Sequence, residues 1–308
     1  MRIGELSPPE LAHRLKHQGI CLQTGPFLIH IQTPLPLVAR VLQFLYADFS
    51  LEDTHELVDF HIRLDRPKGV RRWLRRQAQF YLDGRAPSHP MPLRLAVPLL
   101  EWGMNWCVAE QVHQFLVIHA AVVERWGRAM MIEAPPGCGK STLCAALVHR
   151  GWRLFSDELA LIGLVDPRIA PLARPIGLKD ESIGIIRDFA PEAVIGPEWH
   201  ETHKGTVAHI RPPSDAVQRA HETSLPAWIV FLTYKSGAVP KLEPVRKSRA
   251  FLRVADAAFN YTVLGERGFE TVARMVDACD CYEFSYGNLE EAVQELARLK
   301  PDAGLAPR

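Results

Sequence analysis

A short glycine-containing run between an apolar segment and a helical pattern constrains this chain most. Residues 133–142 read EAPPGCGKST; they follow the apolar residues 129–132 and precede the helical pattern of 143–148. Strand, glycine-rich turn and helix in this order are the context of a phosphate-binding loop. Glycines let consecutive backbone N–H groups converge on phosphate oxygens, and the positive end of the helix dipole adds attraction. We therefore predict that this run binds a nucleotide through its phosphates.

Individual residues of the loop have separate predicted roles in binding phosphate and Mg²⁺. The residues expected to bind the phosphates of ATP are Pro136, Gly137, Cys138, Gly139, Lys140, Ser141 and Thr142. Lys140 would reach the β and γ phosphates, and the Ser141 hydroxyl would ligate Mg²⁺. The first glycine of the usual G-x-x-x-x-G-K-[ST] pattern is Ala134 here, so the match covers the second glycine and the Gly-Lys-Ser-Thr run.

Two adjacent carboxylates follow the next predicted strand. Asp157 and Glu158 close the segment 151–158, and Asp157 lies 17 positions after Lys140. Adjacent strand residues point to different sides, so one carboxylate can hold Mg²⁺ while the other faces an acceptor hydroxyl. Phosphoryl transfer needs that division between metal charge and base. An exposed Asp-Glu turn without chemistry is the alternative interpretation of the pair.

A histidine lies upstream of the loop, at the end of an apolar strand. His119 closes the segment 115–119. A single histidine in such a strand is usually a core residue whose hydrogen bonds are satisfied. The same position could instead place it beside Asp157, where it would orient the base or share its proton.

The pattern of strands and helices along the sequence predicts an α/β fold with two domains. Residues 1–110 are expected to form a smaller N-terminal α/β domain, 111–300 a catalytic domain and 301–308 a flexible tail. From residue 115 onward strands alternate with helices, which predicts a three-layer domain with a largely buried sheet. The predicted strands are 115–119, 121–125, 128–133, 152–156, 159–164, 206–210, 227–234 and 281–286. The predicted helices are 140–150, 181–188, 247–257, 266–278 and 289–299.

In the N-terminal part, the sequence predicts a hairpin over 21–32, a helix over 37–46 and a strand over 58–64. Segment 70–82 fits either a strand pair or a helix. It carries a basic cluster of Arg71, Arg72, Arg75 and Arg76. We interpret this cluster as a solvated face, and a site for an anionic partner is the alternative.

Charge and apolar content argue against several classes of partner. Lys plus Arg is 36 against 35 for Asp plus Glu, so bulk charge gives no reason to expect nucleic-acid or membrane binding. No stretch approaches the roughly 20 apolar residues of a transmembrane helix, and the start lacks a signal core. Six scattered cysteines form no C-x-x-C pair, which disfavours zinc and predicts reduced thiols in a cytoplasmic protein.

These residues together resemble the catalytic domain of bacterial HPr kinase/phosphorylase, and more closely the HPr-kinase-related kinase A group. His119, the loop 137–141 and the pair 157–158 match the family's histidine, G-x-G-K-S and Asp-Asp at the same separations. Arg174 looks like the arginine of the family's E-x-R-G-x-G signature. Arg211 looks like the arginine of its mobile P-x-R-P-G-R loop. Further runs similar to the related group are 101–106, 174–183, 204–209 and 259–261.

The resemblance implies a fold and an activity. The fold would be a P-loop kinase domain of the HPr kinase and PEP carboxykinase-like type. The activity would be ATP- and Mg²⁺-dependent transfer of the γ-phosphate to a Ser or Thr hydroxyl of a protein or peptide. Asp157 would accept the proton, assisted by His119, while Ser141 and Glu158, with Asp157, would hold Mg²⁺. Cations that would neutralise transition-state charge, or alternatively only sit on the surface, are Arg174, Lys179, Lys204 and Arg211.

Two other functions stay open from the sequence. The fold also resembles the nucleotide domain of PEP carboxykinase, which suits a kinase for a small metabolite. A non-catalytic ATP-binding regulatory module is the other alternative. The related group is associated with small peptide-chaperone-like partners, which favours a protein or peptide acceptor. Glu158 replaces the family's second Asp and can still ligate metal. The altered signature around Arg174 leaves open whether HPr is the acceptor and whether phosphorolysis occurs. The choice between ATP and pyrophosphate and the oligomeric state stay open too.

Overall fold

The computed structural model describes residues 1–52, 58–69 and 76–300. Three arginines of the basic cluster (71, 72 and 75) and the predicted tail 301–308 lie outside the described residues. Strands and helices are mixed along the described chain, which confirms the α/β class. Within those ranges, no helix combines the length and apolar content that crossing a membrane requires.

The strands are numbered in chain order. They are β1 (Ile20–Thr24), β2 (Phe27–Gln32), β3 (Leu51–Glu52), β4 (Phe60–Asp65), β5 (Gln77–Leu82), β6 (Met91–Pro92), β7 (Phe115–His119), β8 (Ala121–Arg125), β9 (Arg128–Glu133), β10 (Arg153–Ser156), β11 (Leu159–Gly163), β12 (Ile169–Ala170), β13 (Ile176–Lys179), β14 (Trp199–Thr202), β15 (Gly205–Ile210), β16 (Leu225–Tyr234), β17 (Lys241–Pro244) and β18 (Asp280–Tyr286).

The helices follow the same convention. They are α1 (Pro8–His17), α2 (Pro36–Leu45), α3 (Ala96–Gln111), α4 (Lys140–Val148), α5 (Glu181–Phe189), α6 (Ser214–Gln218), α7 (Lys247–Asp256), α8 (Tyr261–Leu264), α9 (Glu266–Ala278) and α10 (Leu289–Leu296). Every element predicted from residue 115 onward is present, with ends that differ by at most three residues. Elements that the sequence did not predict are mostly short, such as β12 and α8, because two to four residues give no readable periodicity.

The chain forms two compact units that are interleaved in sequence. The first contains the described part of Met1–Gln111 together with Ala173–Ile183 and Val194–His221; the second contains Val112–Leu172, Gly184–Ala193 and the described chain from Glu222 onward. The boundary near residue 110 lies where the sequence predicts it. The two later segments differ from the prediction, since they were expected in the catalytic domain. Their strands pair with one another in a separate antiparallel sheet of order β13-β15-β14.

In the first unit, the larger sheet has the order β3-β1-β2-β4-β5-β6. Strand β4 alternates buried and exposed residues, as expected when one face of a sheet packs on a core. Helix α3 lies close to β5 at Gly103. A Cβ at this position would collide with the ring of Phe80, so only glycine fits there. This close approach fixes α3, whose side chains contact several residues discussed below.

The main sheet of the second unit has the order β10-β8-β9-β16-β18-β17. Strands β9, β16 and β18 are parallel, and β10 runs in their direction too, because two antiparallel steps through β8 separate it from β9. The carboxyl ends of these four strands therefore share one edge. Residues 129–132 of β9 are all buried, which is typical of a strand covered on both faces and agrees with the predicted three-layer arrangement. A second, smaller sheet has the order β12-β11-β7.

Candidate active site

The glycine-containing loop connects β9 to α4 at this shared edge. Gly137 and Gly139 have φ angles of 84° and 80°, in the left-handed region that favours glycine. Gly139 is the residue before the first turn of α4, and its carbonyl accepts the first helical bond, from the Leu143 N–H, at 2.9 Å. The preceding amides and the half-buried Ser141 lie at the positive end of the helix. The backbone thus has the form that anion binding requires.

Lys140 connects the loop to the neighbouring acid pair. Its side chain is only 9% exposed, and its Nζ donates a hydrogen bond of 2.9 Å to the backbone oxygen of Asp157. The same Nζ lies 3.7 Å from Oε2 of Glu158. A buried ammonium is stable only with such partners. Strand β10 supplies them, because it ends beside the loop.

The acid pair forms the two-residue connection between β10 and β11. The Ser156 hydroxyl accepts the backbone N–H of Leu159 at 3.0 Å and that of Glu158 at 3.3 Å, which holds the turn in shape. Asp157 is 5% exposed, whereas the side chain of Glu158 is 27% exposed. The two carboxylates therefore occupy different environments, one buried and one open to solvent.

His119 contacts Glu158, whereas the sequence predicts a position beside Asp157. Its Nε2 lies 3.0 Å from Oε2 of Glu158. The reason is strand register, since β7 and β11 pair His119 with Leu159, the neighbour of Glu158. The prediction of a histidine next to the acid pair is thus correct about the pair and wrong about the carboxylate that it contacts.

A buried asparagine holds the strand that carries His119. The Asn260 Oδ1 accepts the N–H of Val117 at 3.0 Å, and its Nδ2 donates to the carbonyls of Val112 at 2.9 Å and Phe115 at 2.8 Å. The residue is 2% exposed. Asn260 is therefore a positioning residue for His119, and the sequence offered only its place in the run 259–261 as a signal.

Arg174, expected among the catalytic cations, is enclosed in the first unit. Its Nη2 lies 2.6 Å from Oε2 of Glu101, and its Nη1 donates to Oδ1 of Asn105 at 2.8 Å. The Tyr46 hydroxyl donates to the second oxygen of Glu101 at 2.7 Å. Burial, and then the charge of Glu101, raises the pKa of Tyr46 well above its ordinary value. These contacts give Arg174 a structural role within the first unit.

The remaining predicted cations also belong to the first unit. The Nζ of Lys204 lies 5.3 Å from the centre of the Trp102 ring, and the Nη2 of Arg211 lies 2.7 Å from Oδ2 of Asp48. Lys179 is exposed at the end of β13. The loop, His119 and the acid pair all belong to the second unit. The site described above thus consists of residues from the second unit only.

The donor set fits Mg²⁺ that binds together with a phosphate. Within the described ranges, no three His, Cys, Asp or Glu side chains are arranged as a metal-binding group. Mg²⁺ needs fewer protein ligands than that, because it is usually held by one or two carboxylates plus phosphate and water oxygens. Ser141, Asp157 and Glu158 offer only oxygen donors, which suits this ion.

A scan against models of known protein families gave no match for this chain, and a search of curated proteins gave none either. The resemblance stated from the motifs therefore stays a prediction.

Proposed function

We propose that this protein is an ATP- and Mg²⁺-dependent kinase of the HPr kinase-like type, with a P-loop kinase fold in its second unit. It transfers the γ-phosphate to a Ser or Thr hydroxyl of a protein or peptide. One observation carries the proposal: Glu158 lies 3.7 Å from the loop lysine and 3.0 Å from the ring of His119. A phosphate-binding cation, a carboxylate and a proton-carrying ring thus form one connected series.

The loop and Lys140 bind the phosphates in this proposal. The backbone amides around Gly137 and Gly139 and the first turn of α4 surround the β-phosphate, and the Lys140 ammonium exchanges its present partners for phosphate oxygens. Mg²⁺, when bound, neutralises charge on the β and γ phosphates. Ser141 and one of the two neighbouring carboxylates would hold it.

The two carboxylates have separate roles, and their exposure suggests which is which. A general base must be within reach of the acceptor hydroxyl. Glu158 is the more exposed and has His119 as a partner, so it is the proposed base, and a hydrogen bond donated by Nε2 of His119 orients its carboxylate. Asp157 is buried at the end of β10 and is the proposed metal ligand. This assignment reverses the roles implied by the resemblance.

Transfer from γ-labelled ATP tests the activity. We expect the wild-type protein, incubated with Mg²⁺ and a cell extract, to label a protein or peptide, and the Lys140→Ala variant to label nothing. Mass spectrometry would then identify the modified residue. Equal labelling by both proteins would contradict the proposal. Turnover of a small alcohol without protein labelling would point to a metabolite kinase, and nucleotide binding without any transfer would point to a regulatory module.

Matched amide variants test the roles of the carboxylates. Glu158→Gln should abolish transfer and keep Mg²⁺-dependent ATP affinity, whereas Asp157→Asn should weaken that affinity. Glu158→Asp, which keeps the charge on a shorter side chain, should retain part of the turnover. Full transfer by Glu158→Gln together with normal ATP affinity and no transfer in Asp157→Asn would return the base role to Asp157.

A further inference from the structure

Two tyrosine rings lie beside the phosphate-binding loop. Tyr234 is the last residue of β16, and Tyr286 is the last residue of β18. Their ring centres are 5.5 Å apart and their planes are inclined by 68°. A Cβ at Gly139 would lie 3.0 Å from the hydroxyl of Tyr286 and 3.8 Å from the Cβ of Tyr234. The loop backbone therefore passes next to this pair of rings.

Strand order places the rings opposite the acid pair. The acid pair follows β10, the loop follows β9, and β16 and β18 lie on the far side of β9. Lys140 is directed toward β10, since its Nζ bonds the backbone of Asp157. The phosphate to be transferred is therefore at the β10 side of the loop. Three strand spacings, about 14 Å, separate β10 from β16, so the rest of an extended donor molecule lies toward β16.

The two rings differ in exposure. Tyr286 is 2% exposed, and its ring is stacked on that of Phe284 at 5.7 Å and 12°. Tyr234 is 48% exposed. Tyr286 thus supports Tyr234 from inside while much of the Tyr234 ring stays accessible. Stacking of a nucleic-acid base on such a ring is worth about 5- to 150-fold in affinity.

We propose that Tyr234 stacks on the base of the phosphate donor, which makes the donor a nucleoside triphosphate rather than inorganic pyrophosphate. The proposal rests on the proposed function, because it requires the loop to bind phosphate. It goes further by naming the residue that recognises the base of the donor. Stacking tolerates any base, so this contact favours nucleotides over polyphosphates without selecting one base.

Comparison of a nucleotide with a base-free polyphosphate tests the proposal. Calorimetry would measure the Kd of ADP and of inorganic tripolyphosphate, each with Mg²⁺, for the wild type, Tyr234→Ala and Tyr234→Trp. We expect Tyr234→Ala to weaken ADP binding about 10-fold and to change tripolyphosphate binding less than about twofold. Tyr234→Trp should keep ADP affinity, and its added fluorescence should respond to ADP and not to tripolyphosphate.

The outcomes separate the two proposals. Unchanged ADP affinity in Tyr234→Ala, or an equal loss for both ligands, overturns the stacking role and leaves the loop as a phosphate site. A wild-type protein that binds neither ligand overturns both proposals. Thermal unfolding of Tyr234→Ala should match the wild type, because the side chain is half exposed and its loss opens little of the core.

Discussion

Each unit contains a cluster in which a cation, a glutamate and a ring meet. They are the Lys140 cluster of the second unit (Lys140, Glu158, His119) and the Arg174 cluster of the first unit (Arg174, Glu101, Tyr46). In the Arg174 cluster the two charged side chains are 6% and 5% exposed, whereas Glu158 and His119 are 27% and 37% exposed. A cation, a glutamate and a ring are thus buried in the Arg174 cluster and partly exposed in the Lys140 cluster.

The difference separates a structural ion pair from the pair that we propose to act in phosphoryl transfer. Breaking a buried pair leaves an uncompensated charge away from water, which is costly. The contacts of Glu101 with Arg174 and Tyr46 are short, at 2.6 and 2.7 Å. The 3.7 Å separation of Lys140 and Glu158 is looser, so their partners can change when a phosphate arrives. Residue type alone would have assigned both clusters to catalysis.

Loss of the Lys140 ammonium should have the largest effect. We expect Lys140→Ala to lower phosphoryl transfer on the order of 10⁴-fold, because the charge on the transferred group loses its fixed cation. Lys247 is the matched control, since its ammonium also donates to backbone carbonyls of the second unit. Lys247→Ala should lower stability and keep turnover per folded molecule. Equal turnover losses in the two variants would contradict the phosphate-binding role of Lys140.

Arg174→Met should act on stability instead. We expect the free energy of unfolding, measured by urea denaturation, to fall by about 3–5 kcal/mol, because Glu101 is left buried without its cation. Turnover per folded molecule should stay at the wild-type value. The double variant Arg174→Met/Glu101→Leu should recover part of the stability. A loss of turnover in the folded fraction would instead place Arg174 in the chemistry, as the resemblance implies.

His119→Ala tests the ring of the Lys140 cluster. We expect transfer to fall about 100-fold, because the ring orients the Glu158 carboxylate. ATP affinity should change little, since His119 lies beside the acid pair and not in the loop. Unchanged turnover together with reduced ATP affinity would contradict the assignment.

Tyr46→Phe tests the ring of the Arg174 cluster and should have the smallest effect of these variants. Loss of its hydrogen bond to the Glu101 carboxylate should cost about 2 kcal/mol of unfolding free energy at neutral pH. Turnover per folded molecule should not change. A turnover effect larger than that of His119→Ala would reverse the comparison.

The same variant should alter stability at alkaline pH. The folded protein keeps the Tyr46 proton above pH 10, where the unfolded chain releases it, so the wild type loses stability as pH rises above 10. Burial likewise raises the pKa of Cys107 from 9.0 to about 12, which adds a loss between those values. Each group contributes up to about 1.4 kcal/mol per pH unit. Tyr46→Phe should flatten the slope above pH 10, and urea titrations at several pH values would show it.

Local signals explain what the sequence could predict. The sequence predicts the phosphate-binding loop because its glycines suit left-handed φ angles and its lysine follows them directly. It predicts the acid pair because the pair follows a strand at a fixed distance from that lysine. Helices such as α9, with a repeating apolar face, were placed within three residues at each end. Each of these features depends on neighbours in the chain.

Contacts between distant segments explain what the sequence could not predict. The partner of His119 depends on the register of β7 against β11, and one residue of slip would present a different carboxylate. The enclosure of Arg174 depends on Glu101, 73 positions away. The role of Asn260 could not be predicted beyond its place in the run 259–261, because its three partners lie more than 140 positions earlier in the chain. Charge and spacing alone do not reveal burial.

The hydrogen bonds of Asn260 have a consequence for synthesis of the chain. Asn260 is made 143 positions after Val117, whose N–H it accepts. Strand β16, which pairs with β9, is also made long after the loop. A growing chain folds from its N-terminus, so β9 has one unpaired edge until residue 234 has emerged. The loop is therefore synthesised well before the site can form. A fragment that stops before residue 260 should neither hold His119 in place nor transfer phosphate.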